Sequence, residues 1–77
     1  MDLEEELGEL CVADKHIARG LELVEQQRKR VRALDGVGYD SASATRLLVA
    51  LQASLDAMAE HRAVIQETIA MIRSGLR

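Results

Sequence analysis

The amino-acid sequence predicts an all-α protein, an antiparallel two-helix hairpin with helices over about residues 3–34 and 41–74 that dimerises into a four-helix bundle. Three observations predict it. Apolar residues recur at heptad spacing along two long stretches, one glycine-marked break separates the stretches, and the chain has no proline and a single aromatic residue, Tyr39. At 77 residues it is one domain, of a size at which a single hydrophobic core is marginal. Apolar residues make up 48% of it, yet none is a Trp or Phe, so the core must be assembled from many aliphatic side chains spread along the helices. That composition favours an elongated shape.

The first helix begins where Asp2 stands three residues before Glu5, the spacing of an N-cap with an acidic partner in the first turn. Glu4, Glu5 and Glu6 suit the positive end of the helix dipole, and Arg28, Lys29, Arg30 and Arg32 suit its negative end. The apolar stripe reads Leu3, Leu7, Leu10, Asp14, Ile17, Leu21, Val24, Arg28, Val31, alternating steps of four and three that keep one face against a partner helix. Ala13, Gly20 and Leu34 lie beside this stripe, and Cys11, Ala18 and Leu23 flank it elsewhere.

Gly36 and Gly38 are the expected stop signals, because glycine takes a positive φ at no steric cost. Asp40 or Ser41 can cap the second helix, whose stripe reads Ala44, Leu48, Leu51, Leu55, Met58, Arg62, Ile65, Ile69, Ile72, Leu76, with Gly75 as its stop. A connection this short can only fold the second helix back on the first. With the turn centred near residue 38, Leu10 faces Ile65, Ile17 faces Met58, Val24 faces Leu51 and Val31 faces Ala44. Asp14 and Arg62, each a polar intruder in its stripe, fall in one layer and carry opposite charges. They are expected to form a mostly buried ion pair, repeated across a dimer axis, whose value is to penalise register slips.

A lone hairpin buries one narrow seam, whereas the apolar surface here is wider: Ala50, Ala57, Val64 and Met71 run beside the second stripe. A twofold pair of hairpins supplies the four helices such a face asks for, and small residues such as Gly20, Ala50 and Ala57 would allow close approach. A homodimer is therefore the expected state, with a further, unidentified protein as partner.

The net charge of −3 is unevenly spread. Residues 1–25 hold two positive and eight negative groups, whereas residues 26–46 hold five positive and two negative ones. The cluster Arg28, Lys29, Arg30, Arg32 and Arg46 at the turn end is a candidate contact for nucleic acid or a partner, although the acidic overall balance and the lack of stacking rings argue against a general nucleic-acid binder. Tyr39 at the tip is a candidate partner anchor. No apolar run is long enough to span a membrane, and the opening Met1-Asp2-Leu3-Glu4-Glu5-Glu6 is acidic where a secretory signal is basic and then apolar. One cysteine, Cys11, allows no internal disulfide. The expected compartment is the cytoplasm.

No catalytic signature is present, and the chain is read as a non-enzyme without a cofactor. His16 and His61 fall near the Asp14–Arg62 layer and, with a carboxylate, are weak candidate metal ligands, but neither belongs to a His-x-x-x-His or Glu-x-x-His pair. A histidine on the first helix of a dimeric hairpin is also similar in outline to the phosphoacceptor domain of sensor kinases. In that family an acidic residue and an Arg-Thr-Pro stretch follow the histidine, whereas Ile17-Ala18-Arg19-Gly20 follows His16.

The segments His16-Ile17-Ala18-Arg19-Gly20, Gln27, Gly38-Tyr39-Asp40-Ser41-Ala42-Ser43-Ala44, Leu47-Leu48 and His61-Arg62 resemble a loose group of small uncharacterised bacterial helical-hairpin proteins. The resemblance covers residues 16–62. It implies the hairpin and no particular activity, and in that group a histidine often stands where this chain has Tyr39. The sequence thus leads to a dimeric protein–protein interaction or regulatory module, with a small RNA- or DNA-binding regulator as the alternative and histidine phosphotransfer behind both.

Overall fold

The computed structural model describes residues 2–75 and contains two helices, α1 (Leu3–Gly36) and α2 (Ala42–Arg73), folded back on each other as an antiparallel hairpin. Leu76, the last member of the second stripe, lies outside the described residues. The molecule is a rod of 59 × 15 × 13 Å, and its radius of gyration of 17.4 Å compares with about 11.5 Å for a compact domain of this length.

Each terminus of the helices has a local cause. The Glu5 N–H donates to Asp2 Oδ1 at 2.8 Å, so the aspartate caps α1. At the other end α1 runs through Gly36, and the stop falls at Gly38, the turn glycine with a positive φ, of +78°. The Gly38 N–H donates to the Asp35 carbonyl and the Tyr39 N–H to the Leu34 carbonyl, the paired bonds of a Schellman motif. Ser41 occupies the N-cap position of α2, but its hydroxyl donates to Asp35 Oδ1 at 2.5 Å across the turn. The Ala42 N–H is satisfied by Asp40 Oδ1 instead. Gly75, with φ +81°, follows the end of α2.

On α2 the residues turned inward are those of the heptad stripe: Ala44, Leu48, Leu51, Leu55, Met58, Arg62, Ile65, Ile69 and Ile72 are all buried or half-buried, joined by Thr68. On α1 the seam is rotated by one position from the sequence expectation. Leu3, Leu10, Ile17, Val24 and Val31 keep their place, but their companions are Ala13, Gly20, Gln27 and Leu34, while Leu7, Asp14, Leu21 and Arg28 stand exposed on the flank. The cause is close approach. A Cβ placed on Gly20 would come within 3.1 Å of Leu55 Cδ1, so the bulky side chains of α2 fill the space that small residues of α1 leave. Gln27 is buried without penalty because its Nε2 donates to the Ala44 carbonyl at 2.9 Å, tying α1 to the first turn of α2.

The resulting core is thin. Its buried apolar members are Ala13, Val24, Ile65 and Ile69, and among the described residues no large side chain is fully enclosed.

Candidate interaction surface

The rotated seam leaves two long flanks, one on each side of the helix pair. Heptad position assigns the residues to them. One flank takes Leu7, Asp14, Leu21 and Arg28 from α1 and Val49, Asp56, Gln66 and Arg73 from α2; the groove lined by Leu7, Leu10, Gln66, Ile69, Ala70 and Arg73 lies along it. The other takes Glu9, Val12, His16, Arg19, Leu23 and Arg30 from α1. From α2 it takes Ser43, Leu47, Ala50, Ser54, Ala57, His61, Val64, Thr68 and Met71, two adjacent rows without an Asp, Glu, Lys or Arg. The groove lined by Gln27, Arg30, Leu34, Asp40, Ser43, Ala44 and Leu47 marks its tip end. Leu47, Val64 and Met71 are exposed along this second flank, as is Val12.

The structure brings Asp14 and Arg62 together: Arg62 Nε donates to Asp14 Oδ1 at 2.5 Å, across 48 residues of sequence. The pair is not mostly buried, however, since the side chains remain 53% and 34% exposed. Because Ala13 takes the seam position, Asp14 sits at the edge, where water screens the interaction and its net worth falls to about 1 kcal/mol or less.

The basic cluster does not form one face. Successive residues of a helix point about 100° apart, so Arg28, Lys29, Arg30 and Arg32 wrap more than half of α1, and Arg46 projects from the far side of α2. Part of it is already engaged: Arg28 and Arg32 both reach Glu25, at 3.3 and 3.7 Å, and Arg46 donates to Ser43 Oγ. Among the described residues Lys29 and Arg30 have no ion pair. Tyr39 is exposed at the tip.

His16 and His61 are both exposed on the flank with the uncharged α2 rows, and Cys11 is exposed on the other. Among the described residues no three His, Cys, Asp or Glu side chains gather closely enough to share a metal ion. Nor is any described helix long and apolar enough to cross a membrane. The one long-range polar tie that sequence reasoning gave no role is Gln27; a glutamine at a heptad seam position next to the turn was the available signal.

Fold and surface together define a two-helix antiparallel hairpin with one flank whose α2 half carries no formal charge. Comparison with family models, with curated proteins and with solved structures yields no match, so the surface is interpreted from its own residues.

Proposed function

We propose that the chain is a non-enzymatic interaction module that works as a homodimer, two hairpins closing into a four-helix bundle that then engages a further protein, in the cytoplasm. The observation that carries this reading is the surplus of surface. The hairpin exposes 5603 Å², against about 4,700 Å² for a compact folded chain of 8.5 kDa. The excess, roughly 900 Å², is close to the ~800 Å² that each partner contributes to a standard interface. Exposed apolar side chains contribute to it, among them Leu47, Val64 and Met71 on a flank whose α2 rows carry no charge, and contiguous exposed apolar surface marks association.

The alternative, an RNA- or DNA-binding regulator, rests on Lys29 and Arg30 and is weakened by the way the cations encircle the tip instead of lining one face.

Thermal unfolding at varied protein concentration tests the reading. A dimer unfolds at higher temperature as concentration rises, because association and folding are linked. A midpoint unchanged over a hundredfold range of concentration would refute it. Added RNA or DNA duplex that raised the midpoint at about 50 mM salt but not at 200 mM would favour the alternative.

A further inference from the structure

The flank with the uncharged α2 rows also fixes how a second copy would sit on it. We propose that the two hairpins dock through this flank in antiparallel fashion, the tip of each against the open end of the other, on a twofold axis crossing near Ala57. The inference rests on the homodimeric reading above and adds the orientation and register.

Charge supplies the first argument. The open end of the hairpin carries Glu4, Glu5, Glu6 and Glu9 against Arg73, and the tip carries Arg28, Lys29, Arg30, Arg32 and Arg46 against Asp35 and Asp40, so the ends differ in net sign. Parallel hairpins would gather ten cations at one end of the bundle and eight carboxylates at the other. Antiparallel hairpins set each acidic end beside a basic one, and like-charge juxtaposition is what interfaces are arranged to avoid.

Side-chain size supplies the second, independent argument. Gly20 lies level with Leu55 and Met58, so the midpoint of α2 near Ala57 and that of α1 near residues 19 and 20 share one height along the rod. A twofold axis there, perpendicular to the rod, lays α1 on its own copy and α2 on its own copy. On α2 it sets Ala57 against the second copy's Ala57, Ala50 against its Val64, and Ser43 against its Met71. Every larger side chain in the row meets a smaller one, the alternation that lets facing helices interdigitate. On α1 the same axis sets Glu9 against the second copy's Arg30 and His16 against its Leu23. Arg19, one heptad beyond Val12, lies close to the axis and to its own copy, and its ion pair with Glu22 at 3.0 Å offsets its charge there.

The test labels the tip. Tyr39 is 70% exposed and Cys11 is exposed, so a spin label on Tyr39→Cys in a Cys11→Ser background is expected to leave the hairpin intact. Antiparallel docking puts the two labels on the order of 50 Å apart, from twice the roughly 19-residue rise between tip and axis at 1.5 Å per residue. Tips within about 25 Å of each other would overturn the orientation while leaving the dimer standing. A particle that sediments as a monomer and gives no intermolecular distance would instead overturn the reading on which the orientation rests. A second variant fixes the register. Ala57→Cys in the same background should convert to a disulfide-linked dimer on mild oxidation, whereas Val49→Cys on the other flank should not. Equal crosslinking of both, or crosslinking of Val49→Cys alone, would reject the assignment of the flank.

Discussion

Along the flank that carries Asp14, charged side chains interrupt the apolar ones throughout: Asp14, Arg28, Asp56 and Arg73 stand among Leu7, Leu21 and Val49. Along the opposite flank α2 runs from Ser43 to Met71 in two adjacent rows without a formal charge, and its apolar members are just as exposed. Exposure alone therefore does not distinguish the two sides, since single apolar residues on a surface are ordinary. Continuity does. A leucine between an aspartate and an arginine is covered well enough by water and neighbouring stems, whereas an unbroken uncharged row has nothing to oppose its association.

The sharpest way to break this comparison is to place one charge on each side. Val64→Asp puts a carboxylate into the proposed interface, where it is desolvated without a partner, and should weaken dimerisation by about 100-fold or more. Val49→Asp makes the same chemical change on the other flank and should alter stability by no more than about 0.5 kcal/mol. Sedimentation reads the first, and chemical denaturation the second. Next in size comes the seam that both flanks share. Ile65 is one of four buried apolar residues, and Ile65→Ala should cost about 3 kcal/mol by leaving a cavity that the thin core cannot refill, measured by urea unfolding.

Two mid-helix glycines offer a finer contrast. Gly20 is pressed against Leu55, so Gly20→Leu should destabilise by about 1–3 kcal/mol through overpacking. Gly8 has open space around it, and Gly8→Ala should stabilise by up to about 1 kcal/mol through helix propensity alone. Circular dichroism melts of the two variants give opposite signs on this account. The ion pair is also a small effect. A double-mutant cycle with Asp14→Ala and Arg62→Ala should give a coupling under about 1 kcal/mol that fades toward 1 M salt, because both groups are partly in water.

Much of the hairpin was legible from spacing. The seam of α2 follows its stripe from Ala44 to Ile72, because there the inward positions are also the bulky ones and the two criteria agree. On α1 they disagree. Heptad steps allow either Leu7, Asp14, Leu21 and Arg28 or Ala13, Gly20, Gln27 and Leu34 to accompany Leu10, Ile17 and Val24, and bulk points to the first set. Packing selects the second, since the partner helix already supplies the volume and the backbones approach over Ala13 and Gly20. The same rotation explains why register placed Asp14 beside Arg62 but could not tell how deeply the pair lies. At the turn, two glycines were equivalent in sequence, and only Gly38 takes the left-handed conformation that ends the helix. The candidate surface was partly visible as the row Ala50, Ala57, Val64 and Met71; that Leu47, His61 and Thr68 extend it depended on knowing where the seam of α2 faces.

The central claim is that the flank with the uncharged α2 rows, and not the one that carries Asp14, is covered by a second copy of the chain. Sedimentation equilibrium on the unmodified protein, Val64→Asp and Val49→Asp measures this most directly. The account predicts a mass twice 8.5 kDa for the unmodified protein and for Val49→Asp, and a fall toward 8.5 kDa for Val64→Asp. A monomeric mass for the unmodified protein, or dissociation by Val49→Asp with Val64→Asp intact, would contradict it.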